Sequence, residues 1–288
     1  MLQTIKEFWR LVRFEHAIML AVAVLIGEIV VLQGIPHLDA ILLFSLLVPI
    51  FSEMGSFALN DYMDVETDRI NRRMDRPLVK GTIQPQFAFR FAVFAFLVSI
   101  FLASLINPIA FMVVFLYDVF AVLYSVKLKD LAVVGNVFIA TTMSIPFIFG
   151  AVVYQVYPTL TIWILALLGF VSGLAREIVK TVEDMEGDIK ARKAHTLPAI
   201  IGKDASIGLA SALFLMFIPM SVIPFFSSGL ILGVVSGILL VIADVGVGIV
   251  SIFLLFVRDD RSLSLARKYS LAALFCGLFA LLAASLCF

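Results

Sequence analysis

Nine runs of apolar residues, each near the length a helix needs to cross a bilayer, decide what this chain can fold into. They are Ala17–Gly34, Ala40–Leu59, Phe87–Ile106, Ile109–Tyr124, Leu131–Tyr154, Leu160–Ala175, Ala205–Phe226, Leu230–Val257 and Ser270–Phe288. A helix rising ~1.5 Å per residue needs about 20 apolar residues to span the hydrocarbon core. In lipid every backbone polar group must be paired within the segment or around a closed barrel. The runs are about twice the length of a barrel strand, which leaves helices. Only 15% of the 288 residues are charged and 62% are hydrophobic, whereas a water-soluble globule is about a quarter charged. The expected fold is an all-α membrane protein, nine transmembrane helices in one bundle, forming a single domain over residues 1–288.

Charge placement orients the bundle. With nine spans, the segments sharing the N-terminal side are 1–16, 61–86, 125–130, 176–204 and 257–269, and they hold 20 of the 21 Lys and Arg. The remaining one, Arg90, lies just inside the third run on that side, and the opposite turns carry neither residue. Such asymmetry marks the cytoplasmic face, so the N-terminus is expected there. Thr4–His16 carries charges and reads as an amphipathic segment against the first run, not as a cleavable signal sequence. Cys276 and Cys287 both fall in the last run and read as inert packing residues. Gly135, Gly150, Gly169, Gly173, Gly233 and Gly237, inside the runs, suit close helix–helix approach in lipid.

The polar chemistry is concentrated in cytoplasmic segments at about 61–86, 125–130 and 176–204. Loops of 26 and 29 residues are uncommon unless functional. Asn60, Asp64 and Asp68 follow the second run at a spacing of four, which stacks them on one helical face. Asp61 and Glu66 add to the crowding. Like charges at this spacing repel, a cost removed if cations neutralise the face. Mg²⁺ takes oxygen ligands and is commonly held by one or two carboxylates plus substrate phosphates. After the sixth run, Asp184 and Asp188 repeat the spacing, and Glu177 sits seven before Asp184 on the same face. Two such faces from different helices would cradle a metal–diphosphate unit, with Asn60, Asp64, Asp68, Asp184 and Asp188 as metal ligands. Arg69, Arg72, Arg73, Arg76 and Lys80 follow the first cluster, and Lys190, Arg192 and Lys193 the second. Arg suits bidentate phosphate contact and Lys a point charge. The short segment Tyr124-Ser-Val-Lys127-Leu-Lys129-Asp130 adds a phenol and two amines.

Asn60-Asp61-x-x-Asp64-x-x-x-Asp68 followed by Arg76-Pro77 resembles the first signature of the UbiA superfamily of membrane prenyltransferases. Arg176-Glu177-Ile178 and Glu183-Asp-Met-Glu-Gly-Asp188, followed by Leu197-Pro198, resemble the second. The likeness extends to layout, nine spans with motifs after the second and sixth. Many members carry Tyr-x-x-x-Lys between helices four and five. Here Leu128 stands four after Tyr124, so either Lys127 or Lys129 serves. The resemblance implies a UbiA-like bundle in the cell membrane, with its active site open to the cytoplasm. It implies Mg²⁺-dependent transfer of a prenyl group from a prenyl diphosphate to a lipid or aromatic acceptor. In that scheme Asp64, Asp68, Asp184, Asp188 and Tyr124 are catalytic, while Asn60, Arg13, Arg72, Lys127, Lys129 and Glu177 bind substrate. Membrane lipid is an expected partner and nucleic acid is not. The segment Arg176–Asp188 resembles the branch that alkylates geranylgeranylglyceryl phosphate in ether-lipid synthesis. An aromatic acceptor such as 4-hydroxybenzoate is the runner-up.

Glu28, Glu53, Asp118, Asp244 and Asn136 lie within apolar runs. An ionisable group there costs about 2.5 kcal/mol or more, so each is expected to face the bundle interior with a function or a partner. Glu28, Glu53, Asp118 and Asp244 also permit a second reading, a secondary transporter with midplane acids. Against it, the acid clusters sit at one membrane surface and no broken helix pair stands out.

Overall fold

The computed structural model describes residues 2–71, 73–226, 230–256 and 259–287. In chain order the helices are α1 (Leu2–Val12), α2 (Phe14–Leu32), α3 (Ala40–Met63), α4 (Val65–Ile70), α5 (Pro77–Lys80), α6 (Pro85–Ile106) and α7 (Pro108–Val126). Then follow α8 (Val134–Thr142), α9 (Ile145–Val153), α10 (Leu160–Arg192), α11 (Leu197–Ile201), α12 (Lys203–Val222), α13 (Val234–Phe256) and α14 (Asp260–Ser285). Among the described residues eight helices are long and apolar enough to cross a membrane. A ninth span results if the pair α8 and α9, bent by 47°, is counted as one.

Two differences from the sequence expectation concern local conformation. The run Leu131–Tyr154 is not one helix but a broken pair. Pro146 lacks an N–H and its ring clashes with the carbonyl four residues back, at Thr142, where α8 stops. The segment 176–204 is largely not a loop, because α10 continues to Arg192. At ~1.5 Å per residue its 33 residues extend roughly 50 Å, well beyond a ~30 Å hydrocarbon core. Likewise 61–86 contains the end of α3, α4 and α5, and Leu128–Asp130 forms a 3₁₀ turn within 125–130.

The helices gather into two compact units. Unit 1 comprises residues 1–21, 38–131 and 186–194, and unit 2 comprises 22–37, 132–185 and 195–288. In unit 1, α3 packs against α6 and α7. The inner face of α6 is made by Ala88, Ala92, Ala95, Ser99 and Ala103, a three-and-four repeat of small residues that lets backbones approach. Gly55 of α3 uses that room: a Cβ there would lie 3.3 Å from both the Ala92 carbonyl oxygen and Ala95 Cβ. The opposite face of α6 turns Phe94, Leu97 and Phe101 outward, each more than half exposed. In water such a face would mark an interaction site, and here it is the surface a lipid chain covers. Asp118 on α7 holds three helices together, accepting from Ser52 Oγ on α3 (2.5 Å) and Ser99 Oγ on α6 (2.7 Å). In lipid that pairing offsets part of the cost of a buried carboxylate. Asn107 caps α7 by accepting from the Ala110 N–H at 2.8 Å, with Pro108 at the first helical position.

In unit 2, α12, α13 and α14 pack in sequence. Ser211 and Ser251 join α12 to α13 reciprocally, each hydroxyl donating to the other's carbonyl at 3.0 and 2.9 Å. Asp244, on α13, accepts from Ser221 Oγ of α12 at 2.9 Å. Asn136 of α8 donates to Thr181 Oγ1 of α10 at 2.8 Å. A Cβ on Gly150 of α9 would meet the α2 backbone 2.6 Å from the Glu28 nitrogen, and one on Gly169 would overlap the Met143 carbonyl at the α8–α9 break. Gly173 is also tight, 3.2 Å from Ala140 Cα, whereas Gly233 and Gly237 meet nothing closer than 3.7 Å and permit no special approach. Asp259 caps α14, and the Ser262 N–H bonded to it at 2.9 Å holds its carboxyl below the usual carboxylate range.

Candidate active site

Unit 1 builds the first acidic motif at the end of α3. The helix stops at Asp64, whose backbone (φ −98°, ψ 3°) turns the chain into α4. The i→i−4 ladder persists across the joint, with Asp64 N donating to the Asn60 carbonyl at 2.9 Å and Asp68 N to the Asp64 carbonyl at 2.7 Å. Asn60, Asp64 and Asp68 therefore rise one turn apart, as their spacing predicts.

Basic side chains converge on this stack. Lys129 Nζ lies 2.5 Å from Asp64 Oδ1, its side chain only 8% exposed. Lys127, two residues earlier, is exposed. Asp68 is flanked by Arg73 Nε at 4.0 Å and Arg76 Nε at 3.9 Å. Arg72 lies outside the described residues. Tyr124 is buried at the last turn of α7, just before the 3₁₀ turn that carries Lys129.

A carboxylate that the spacing analysis counted only as crowding organises the arginines. Asp61, 1% exposed, accepts at one oxygen from Arg13 Nη2 at 2.9 Å and Arg76 Nη1 at 2.8 Å. Its signal in the sequence is its offset: about 100° around the helix from Asn60, it faces the α1–α2 joint and not the stack. Arg13 forms that joint with a left-handed φ of 45°. A non-glycine residue there costs about 1–2 kcal/mol. Two contacts offset it, the Asp61 bond and a Phe57 ring 4.1 Å beneath the guanidinium. Glu53, a heptad before Asn60, lies within electrostatic reach of Arg13.

The second motif lies on α10, with Asp184 and Asp188 one turn apart. Asp188 is buried and belongs to unit 1 with the rest of 186–194. There Gly187 sits so close to the Asn71 side chain that a Cβ would overlap its amide. That contact, just beyond Asp68, brings the start of the 186–194 segment against the end of the first motif. Glu177 is also buried and pairs with Lys180 at 3.4 Å.

Among the described residues no three acidic, His or Cys side chains close into a ready-made metal cluster. Asp64, Asp68 and Asp61 instead hold cationic side chains. The donor chemistry of Asn60, Asp64 and Asp68 is all oxygen and stacked on one side, which fits a hard cation brought with phosphate oxygens. Such a stack, ringed by lysine and arginine, can bind a polyphosphate through metal while the basic groups take its remaining charge.

Comparison with known proteins bears on the family and the fold. Residues 20–276 match the model of the UbiA prenyltransferase family. The chain is 35% identical over 222 residues, 77% of its length, to the digeranylgeranylglyceryl phosphate synthase of Archaeoglobus fulgidus, covering 75% of that protein. A solved digeranylgeranylglyceryl phosphate synthase superposes with a TM-score of 0.70 at 27% identity, over 99% of this chain and 100% of that one. A UbiA homologue from Archaeoglobus fulgidus bound to DMAPP and Mg²⁺ shares the fold with a TM-score of 0.64 at 20% identity, over 96% of this chain and 99% of that one. The transporter reading falls with these matches. The chain belongs to the UbiA prenyltransferase family.

Proposed function

We propose that this protein transfers a geranylgeranyl group from geranylgeranyl diphosphate to the free hydroxyl of geranylgeranylglyceryl phosphate, releasing diphosphate and forming an ether. The observation that carries the reading is the stack of Asn60, Asp64 and Asp68 with Lys129, Arg73 and Arg76 at its carboxylates. The acceptor rests on the synthases this chain is similar to. Residues 1–288 act as one prenyltransferase domain in the cell membrane, N-terminus inward and site open to the cytoplasm. Charge placement supports that orientation.

Asn60, Asp64, Asp68, Asp184 and Asp188 would hold Mg²⁺, the ion bound with DMAPP in the UbiA homologue. When bound, it neutralises charge developing on the leaving diphosphate. Lys129 and not Lys127 is the lysine we assign, because it alone reaches Asp64. It exchanges that carboxylate for a diphosphate oxygen, and Arg73 and Arg76 donate to the same group. Arg13, Arg72 and Glu177 complete the set around substrate. As the C–O bond to diphosphate breaks, an allylic cation remains and the acceptor oxygen attacks it, its proton passing to the released diphosphate. Tyr124, buried beside the lysine turn, is the group we assign to that side of the reaction. The surrounding apolar helices keep water from the cation.

The assay is purified protein with labelled geranylgeranyl diphosphate and each acceptor in turn, followed by extraction of product. Label should enter an ether lipid with geranylgeranylglyceryl phosphate. Transfer only to 4-hydroxybenzoate or another aromatic ring would overturn the acceptor and leave the diphosphate chemistry in place.

A further inference from the structure

Unit 2 holds a cation that neither acidic motif accounts for. Arg176 lies on α10 where the apolar run ends, and its Nε is buried with no hydrogen-bond partner. Its charged neighbours are otherwise engaged. Glu177 pairs with Lys180 at 3.4 Å, and Glu183 takes Arg267 Nη1, from α14, at 2.5 Å. Among the described residues no hydrogen bond or ion pair holds Arg176. The nearby charge of Arg267 makes its burial costlier still, and the charge of Glu177 offsets that only in part. Arg176 as a whole is half-buried, and a guanidinium partly withdrawn from water with no carboxylate of its own is costly, which leaves it ready to take an anion that arrives from outside the chain.

Helical geometry separates this anion from the metal-bound diphosphate. At ~100° per residue, Arg176, Lys180 and Glu183 fall on one face of α10, with Arg267 closing it from α14. Glu177, Asp184 and Asp188 fall on another face, about 100° around. One face offers carboxylates, which take phosphate only through a metal. The other offers the Arg176 guanidinium, with the Glu183 carboxylate beside it already paired to Arg267, and a guanidinium takes phosphate directly and in bidentate fashion. We infer that Arg176, assisted by Arg267, seats the phosphate monoester of the lipid acceptor. The inference rests on the acceptor proposed above. The seat orients the glycerol hydroxyl independently of Mg²⁺ and selects phosphorylated acceptors over neutral ones.

Binding is measured by thermal stabilisation of the full chain in detergent with EDTA present. The probes are geranylgeranylglyceryl phosphate, its phosphate-free alcohol and a non-hydrolysable geranylgeranyl diphosphate analogue. Wild type should bind the phosphate lipid at least about tenfold more tightly than the alcohol, the scale of one charge-assisted hydrogen bond. Arg176→Gln should erase that preference, Arg176→Lys should keep part of it, and Arg267→Gln should weaken it. If Arg176→Gln does not fold, the lysine variant and Arg267→Gln carry the test. Equal preference in wild type and these variants overturns the seat, as does wild type that does not distinguish lipid from alcohol. An Arg176-dependent gain for the diphosphate analogue alone assigns the cation to the donor and also overturns it. Transfer only to an aromatic ring, with Arg176-dependent binding of the phosphate lipid intact, removes the acceptor proposal and leaves the seat standing.

Discussion

At the scale of single residues, Asp61 governs how the basic groups are presented. One of its oxygens serves both Arg13 and Arg76, and it is almost wholly buried. Asp61→Asn keeps an acceptor oxygen but removes the charge between two guanidiniums. The variant should lose about 2 kcal/mol of stability and at least tenfold in turnover, read by thermal melting and initial rates. Wild-type values in both would mean that the arginines are held by other groups. Lys129 and Lys127 give a sharper contrast. Lys129→Ala should lower turnover by tenfold or more, while Lys127→Ala should stay within about twofold, the scale of exposed substitutions. Equal losses would return the assignment to either lysine. The sequence left these two open for a physical reason. Both follow Tyr124 in a short segment, and only the 3₁₀ turn at Leu128–Asp130 aims their side chains apart. Asp64 and Asp68 were legible because a four-residue spacing has one helical meaning, whereas the double ion pair of Asp61 joins residues 48 and 15 positions apart.

At the scale of elements, α10 is the informative case. Its apolar run stops at Ala175, yet the helix continues for 17 more residues. Apolarity reports depth in the membrane and not helix length. Residues 176–192 are mostly Glu, Lys, Arg, Asp and Ile, with no Pro to stop the ladder. The continuation carries the second motif, and within unit 1 its Gly187 lies against Asn71. Gly187→Ala, which ordinarily favours a helix, should here displace Asn71 and cut turnover at least tenfold while helix content by circular dichroism holds. Undiminished activity would show that this contact does not set the site. The break between α8 and α9 was present in the sequence as Pro146, but an apolar run of 24 residues masks an internal proline when only hydropathy is read. Neither the Ser211–Ser251 pair nor the Asp118 node could be located from spacing, since each joins separate helices.

At the scale of the whole molecule, the placement of the basic segments supports an inward N-terminus, an orientation that labelling can test. In a background lacking Cys276 and Cys287, cysteines placed at Pro36 and Asn107 should react with an impermeant reagent outside intact cells, and one at Lys190 should not. Labelling at 190 would invert the orientation and put the site on the wrong side for a cytoplasmic donor. The central claim is that two carboxylate sets hold a prenyl diphosphate through Mg²⁺. It is tested most directly by the rate of diphosphate release from geranylgeranyl diphosphate in the presence of geranylgeranylglyceryl phosphate. Wild type, Asp64→Ala and Asp184→Ala are compared, each with excess EDTA and with Mg²⁺ restored. Wild type should fall to background in EDTA and recover with Mg²⁺, while both variants, folded and inserted, stay at background throughout. Undiminished release in EDTA, or wild-type rates in either variant, would contradict the account.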